Sequence, residues 1–348
     1  MPLQIIRDDI TRVTADAIVN TANPQPTCGS GTDSAIYEAA GREKLLAERM
    51  KIGTLQPGGI AVTPAFALKA RYIIHVCGPI WNGGTDGEFD ILRACYERAL
   101  LKADELSCGS IAFPLMASGV NGFPKDKALQ IAISTISGFL MTHDLHVTLV
   151  VFSSDAFRLS GRVFDGVRAF IDDVEVQKRT AAEYGSCQEY EERVGRNRRR
   201  GVPEEDDRRV MAALATPPVI PMPADEAALD QMLGRQHETF QQCLFRMIDA
   251  RGLTDKTVYT RANLDRKLFS KIRCKPDYRP KKETAVAFAL ALHLDLEETA
   301  ELLSKAGLAL SASSRFDINA AYCLSHHYYD ISEINAVLYQ YDQPQLGV

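Results

Sequence analysis

The sequence predicts an α/β protein carrying an all-helical extension, and three observations support that expectation. Up to about Gln177, short β-rich runs alternate with longer amphipathic stretches, the pattern of helices layered on both sides of a largely parallel sheet. Residues 178–224 break the alternation with mixed charge and proline. From 225 to 348 the spacing is almost entirely helical, with Gly252 and Gly307 as stops.

Taken in order, strands are expected at 3–6, 17–20, 60–63, 72–76, 110–115 and 146–152, runs rich in apolar and β-branched residues. Helices are expected at 33–40, 42–50, 89–106, 125–142 and 157–173, where apolar residues recur at helical spacing. The stretch 178–224 places Glu189, Glu191 and Glu192 before Arg198, Arg199 and Arg200, then a second acid–base block, then Thr216-Pro217-Pro218. Abundant charge, few aromatics and a proline run read as an extended connector. Beyond it, helices are expected at 227–250, 255–262, 265–272, 281–293, 296–305, 318–325 and 331–339. Tyr322, Tyr328, Tyr329, Tyr339 and Tyr341 suit extra packing or a dimer contact.

Composition sets limits. A chain of 348 residues exceeds the usual size of one domain. Its net charge of −5 excludes a generally basic nucleic-acid coat and leaves a local basic face open. Eight cysteines occur without any C-x-x-C spacing, which suits reduced thiols better than a disulfide framework or a zinc site. No signal peptide opens the chain and no apolar run is long enough to span a membrane, so a cytoplasmic protein without membrane contact is expected. Neither a metal nor a cofactor is expected.

Two glycine-bearing loops carry the chemistry. Asn20-Thr21-Ala22-Asn23 leads to Cys28-Gly29-Ser30-Gly31-Thr32-Asp33, between a strand and a helix. Ala117-Ser118-Gly119-Val120-Asn121-Gly122-Phe123-Pro124 repeats the strand–loop–helix arrangement. Orphan N–H groups and the helix dipole point the same way at a helix N-terminus, so each loop suits an anion. No lysine stands in a G-K-[ST] position. The polar company is neutral except for Asp33, which fits a ligand containing a diphosphate and sugars better than a nucleoside triphosphate. Asp33 is also a natural helix cap. His75, inside an apolar strand run, reads as a satisfied core histidine rather than a base, and Trp81 as packing beside Cys77-Gly78-Pro79.

With Asp9-Ile10-Thr11, Ala39-Ala40-Gly41, Tyr72 to Pro79 and Pro114 to Pro124, these loops resemble a macrodomain over roughly residues 1–175. The resemblance implies a three-layer α/β/α module with a mixed sheet at 1–177 that binds ADP-ribose, free or attached to a protein. It implies that Asp9 and Ile10 meet adenine, with Phe152 as a packing face. Asn20, Gly29, Ser30, Gly31, Thr32, Ser118, Gly119, Val120, Asn121 and Gly122 would line the diphosphate, and Phe123 would pack over the distal ribose. In the MacroD-like branch it further implies catalysis, with Asn23 orienting that ribose and Asp33 placed near the attacking water. The expected reaction is hydrolysis of ADP-ribose from acidic side chains or from O-acyl-ADP-ribose. A non-catalytic ADP-ribose sensor or adaptor is the alternative. Asp8, Cys28, Ser30, Thr32, Ser34 and Asn121 depart from the family pattern without removing a catalytic group.

The stretch 250–308 resembles a lambda-repressor-like helix-turn-helix, with 265–273 as the recognition-like helix. Between Arg246 and Lys282, six arginines and six lysines face four aspartates. Arg266, Lys267, Lys271, Arg273 and Lys275 are the candidate contacts to DNA. A solvated face or a protein-docking surface accounts for the same charges.

Overall fold

The computed structural model describes residues 2–151, Leu214 and 238–347; the expected helix at 157–173 and the connector lie outside the described residues. The described residues fall into two compact units. One comprises 2–151 together with 263–265 and 335–347; the other comprises 238–262 and 266–334.

In the first unit six strands form one sheet: β1 (Leu3–Ile6), β2 (Ala17–Thr21), β3 (Ile60–Pro64), β4 (Tyr72–Val76), β5 (Ser110–Pro114) and β6 (His146–Val150). Their order is β1-β6-β5-β2-β4-β3, parallel throughout except where β3 runs against β4. The helices are α1 (Thr32–Ala40), α2 (Arg42–Ile52), α3 (Glu88–Glu105) and α4 (Lys125–Leu140).

Strand alternation sorts the core into two layers. Val19, Ile74, Val76, Ile111, Phe113, Val147 and Leu149 pack with α3 and α4 residues such as Leu92, Tyr96, Leu129 and Ile136. From the same strands, Ile18, Ile73, Ala112 and Val150 pack with Ile36, Tyr37 and Leu45 of α1 and α2. The arrangement is the three-layer α/β/α fold with a mixed sheet. Because β1, β2, β4, β5 and β6 are parallel, their carboxyl ends share one edge. That edge collects the segment after β1 with Asp9, both glycine loops, and the 78–81 turn after β4.

The other edge problem is solved within the same unit. Strand β1 is terminal, and Pro2 and Ile6 offer their carbonyls to β6 and the residue after it, while the main-chain N–H and C=O groups of Leu3 and Ile5 turn away from β6. An unpaired strand edge is open to pairing with another chain. Here two side-chain carboxamides imitate a strand. Asn263 Oδ1 accepts from Leu3 N–H at 2.7 Å and its Nδ2 donates to Leu3 C=O at 3.0 Å. Gln345 repeats the pair at Ile5, accepting at 3.0 Å and donating at 2.6 Å. Asn335 holds Leu346 by both main-chain groups, at 3.0 and 2.7 Å, which fixes the segment carrying Gln345.

The second unit is helical: α5 (Phe240–Ala250), α6 (Asp255–Arg261), α7 (Arg266–Cys274), α8 (Lys282–Ala291), α9 (Leu296–Lys305) and α10 (Arg315–Ser325); α11 (Ile331–Gln340) begins in this unit and ends in the first. Helix α8 is buried from Ala285 to Ala291, and Phe288 meets Phe240 and Phe269 at ring separations of 6.4 and 6.0 Å. Thr239 and Asp295 close capping boxes at the starts of α5 and α9. The tyrosines that suggested packing do pack: Tyr322 stacks on His326 at 4.0 Å and Tyr329 on His293 at 4.2 Å. No helix among the described residues is long and apolar enough to cross a membrane.

Each hydrogen bond from Asn263 or Gln345 to β1 is worth about 0.5–1.5 kcal/mol net. The double variant Asn263→Ala/Gln345→Ala is therefore expected to lose about 2 kcal/mol or more of unfolding free energy in a urea titration, each single variant about half. An unchanged midpoint in the double variant would show that water satisfies this edge equally well.

Candidate active site

The site is built outward from Asn20, at the end of β2. Asn20 is fully buried and its Nδ2 donates to Asp33 Oδ1 at 2.6 Å. The same nitrogen lies 3.1 Å from His75 Nδ1, directly across from Asn20 on β4, and His75 Nε2 lies 3.0 Å from Thr63 Oγ1 on β3. A carboxylate only accepts, so the Asn20 amide must turn its nitrogen toward Asp33. The second amide hydrogen then requires an unprotonated Nδ1, and Nε2–H donates to Thr63. Burial, aided by the charge of Arg49, pushes the His75 pKa down to about 3. The imidazole is neutral and serves as a core histidine, as its strand setting predicts. Asn20 presents no surface to a ligand. Its expected place in the diphosphate lining is corrected to a place beneath it, because both its donors are committed inside.

Asp33, in the first turn of α1, is 3% exposed, and its second oxygen accepts the Gly29 N–H at 2.5 Å. It does not cap α1; Gly31 does so without a side-chain bond, at φ 64°. A Cβ built on Gly29 would lie 2.9 Å from Asn23 Nδ2 and 3.0 Å from Asp33 Oδ2. The two proposed catalytic side chains thus converge on one point, which is why that position needs glycine. Burial raises the Asp33 pKa above the ordinary carboxylate value, opposed by the bonds from Asn20 and Gly29 and by the charge of Arg49. Asn23 is half-buried, with a long contact of 3.4 Å to Thr27 Oγ1. Ser30 and Gly31 are exposed, and Thr32 opens α1, where orphan N–H groups and the dipole favour an anion.

In the second loop, Ala117 at φ 60° and Gly122 at φ 71° fold the chain tightly, with Phe123 N–H donating to Ala117 C=O and Gly122 N–H to Gly119 C=O, both at 3.0 Å. Ser118 Oγ donates to Leu115 C=O at 2.9 Å. Gly119 faces open space and Val120 is 81% exposed. Asn121 ties this loop to the 79–81 turn: its Nδ2 donates to Pro79 C=O and its C=O accepts from Trp81 N–H, both at 2.9 Å. Phe123 is 2% exposed, 4.7 Å from the Trp81 ring and 5.6 Å from Phe89. Hydrophobic packing turns this ring mostly into the core, where it supports the loop from below.

Asp9 caps the short 3-10 helix Ile10–Arg12, and its Oδ1 accepts from Thr11 N–H at 2.9 Å and Thr11 Oγ1 at 2.8 Å. Both bonds use the same oxygen. Ile10 is 5% exposed beside it. Phe152 lies outside the described residues.

Two residues absent from the sequence reading matter. Glu88 accepts from the N–H groups of Asn82 at 2.9 Å, Gly84 at 3.0 Å and Asp86 at 2.6 Å, and so holds the turn beside Trp81. Arg49, on α2, is 1% exposed and donates to the carbonyls of Gly53, Asn23 and Pro24. Its one sequence signal is position: Arg49 follows Leu45 by four residues and so shares the apolar face of α2.

Helices α6 and α7 of the second unit are separated by residues 262–265, of which 263–265 belong to the first unit, and Arg266, Lys267, Lys271, Arg273 and Lys275 are exposed. Not all of the local cations face solvent unopposed. Arg273 pairs with Asp255 and lies 4.8 Å from the Phe245 ring centre. Arg246 pairs with Glu238 and Glu301, Arg251 with Glu298, and Lys282 with Asp317.

The Macro domain family model matches residues 19–132. An O-acetyl-ADP-ribose deacetylase of Salmonella newport is 40% identical over 166 residues, spanning 46% of this chain and 93% of that protein. A Macro domain-containing protein of Ralstonia nicotianae is 46% identical over 134 residues, 38% of this chain and 78% of that protein. A solved macrodomain of Oceanobacillus iheyensis with ADP shares 38% identity, covering 45% of this chain and 86% of its own, with a TM-score of 0.44. Through its N-terminal half, the chain belongs to the macrodomain family.

The buried imidazole has a pH signature. Between pH 6.5 and about 3 the unfolded chain binds a proton at His75 that the folded chain does not, so this residue makes stability fall as the pH drops through that window. His75→Gln keeps an acceptor for Asn20 and a donor for Thr63 but does not titrate. Urea midpoints between pH 7.5 and 4 should converge for the wild type and this variant as the pH falls; a difference that does not change with pH would overturn the assignment.

Proposed function

We propose that the chain is an ADP-ribosyl ester hydrolase that binds ADP-ribose and releases it from O-acyl-ADP-ribose or from mono-ADP-ribosylated acidic side chains. The observation that carries this reading is the convergence of Asn23 and Asp33 on Gly29, with Asp33 buried, fixed at both oxygens and raised in pKa. A carboxylate moved toward neutrality is a better general base than one in water. The deacetylase name of the Salmonella relative supports the same class.

In this mechanism Asp9 Oδ2 and Ile10 meet adenine, with Phe152 as a further packing face. The diphosphate lies between Gly29–Thr32 at the α1 N-terminus and Ser118–Gly122, and Asn23 holds the distal ribose. Water, positioned by Asp33, breaks the ester to the ribose. Its hydroxyl goes to one fragment and its proton to the other, passing through the Asp33 carboxylate, and the products are ADP-ribose and the free acid. We place the ADP-ribose module at 1–177, a connector at 178–224 and the helical region at 225–348, in the cytoplasm.

A second reading concerns the helical region alone. The short α6–α7 pair and exposed Arg266, Lys267, Lys271 and Lys275 favour a helix-turn-helix that contacts DNA. A mobility shift that persists unchanged in Arg266→Ala/Lys271→Ala would count against it.

The decisive assay incubates the protein with O-acetyl-ADP-ribose and with a glutamate-linked mono-ADP-ribosylated protein. Wild type should release product, and Asn23→Ala and Asp33→Ala should each lower kcat by about a hundredfold. Gly29→Ala should act as severely, since its methyl group occupies the gap between the two side chains. ADP-ribose binding by calorimetry without any release would sink the hydrolase reading. Gly119→Glu should abolish binding by placing a charge in the open space the diphosphate would use.

A further inference from the structure

Arg49 is a buried guanidinium with an unusual set of partners. It is 1% exposed, and its hydrogen bonds to described residues all go to main-chain carbonyls: Gly53, Asn23 at 3.4 Å and Pro24 at 3.4 Å. Guanidinium groups removed from water normally meet a carboxylate, because a buried charge without an opposite charge is costly. Carbonyl dipoles soften that cost, and the carboxylate that feels the charge, Asp33, makes no hydrogen bond to it. The carbonyls chosen are informative too. Asn23 and Pro24 open the first glycine loop, and Gly53 ends α2 with φ 80°, so one planar fork clips the loop to the end of a helix.

Two consequences follow for the site. Asn23 projects toward Gly29 and Asp33 from a backbone whose own carbonyl is held by Arg49. A full positive charge also stands behind this loop, where it acts on the buried Asp33 carboxylate while the loop's exposed donors are neutral.

We infer that Arg49 positions Asn23 for turnover and supplies the fixed positive charge against which an anionic diphosphate is held. The inference rests on the hydrolase reading for its first half and on ADP-ribose binding alone for its second. Lysine at this position keeps the charge but cannot bridge three carbonyls in one plane, and methionine keeps volume without charge.

The test uses full-length protein, with calorimetry of ADP-ribose and of adenosine beside turnover of O-acetyl-ADP-ribose. Arg49→Lys should bind ADP-ribose within about threefold of wild type while kcat falls about tenfold or more, the loss expected from a misplaced ribose contact. Arg49→Met should lose about tenfold or more in ADP-ribose affinity and leave adenosine affinity unchanged. A merely structural role would weaken both ligands equally, and that result, or wild-type kcat in Arg49→Lys, overturns the inference. Should Arg49→Met fail to fold, the split between binding and kcat in Arg49→Lys decides. Wild type that binds but does not turn over removes the hydrolase reading and leaves Arg49 to be judged on the two ligand affinities. Wild type that does neither removes both.

Discussion

The hydrogen bond from Asn20 to Asp33 is the constraint on which the rest of the candidate site depends. It joins the last turns of β2 to the first turn of α1 across 2.6 Å of dry interior. A carboxylate so deeply placed is tolerable only when its lone pairs are satisfied. Asn20 takes one oxygen and the Gly29 N–H takes the other, so satisfying Asp33 folds the loop back over it. The amide that serves Asp33 is itself aimed by His75, and His75 by Thr63. Four side chains on three strands and a helix thus act as one polar unit, and low dielectric makes each member depend on its neighbours. The unit is not complete, since Asn20 Oδ1 is buried without a hydrogen-bond partner, and a neutral histidine suits the middle of it because Nδ1 can accept the second amide hydrogen.

Topology makes that unit useful. Parallel strands carry the loops after β2 and β5 to the same side of the sheet, so two segments about ninety residues apart flank one gap. The antiparallel β3 adds Thr63, the outer anchor of the chain of bonds. At the far end of the sheet, β1 would be an open edge without Asn263 and Gln345. The first unit therefore draws on residues distant in sequence to finish its sheet, and the compact unit is not a contiguous stretch of chain.

The sequence revealed most of the framework and only part of the site. All six strands of the sheet and its four described helices lie within about two residues of expectation, because strand alternation and helical spacing report burial directly. Asn23 and Asp33 stood out by residue type and spacing in the first loop, and the fold brings their side chains together at Gly29. The burial of Asn20 and Phe123 was hidden for a shared reason: a motif names residues near a ligand without saying which face inward. Asn20 is taken by Asp33 and His75, and Phe123 by Trp81 and Phe89, neither of which periodicity can disclose. Arg49 was hard to see because an arginine in a helix as polar as α2 normally points to water, and only its spacing from Leu45 signals otherwise. Asn263 and Gln345 were invisible because two amides more than eighty residues apart act on one strand.

Arg49 and the cations of α7 stand in two different physical regimes. On α7 the cations stand in water, where ions screen them over about 8 Å at physiological salt, and Arg273 is already paired with Asp255. Arg49 stands where ions do not reach, and its field acts through protein rather than solvent. A ligand held by neutral donors in front of such a charge keeps its affinity as salt rises. Phosphate contacts by α7, on the reading that it meets DNA, would weaken as salt rises because less is gained from counterion release. On the proposed readings, recognition of a small anion would be governed by fixed interior charge, and surface attraction by the surrounding electrolyte. The lack of an exposed lysine in either glycine loop is what keeps the two regimes apart.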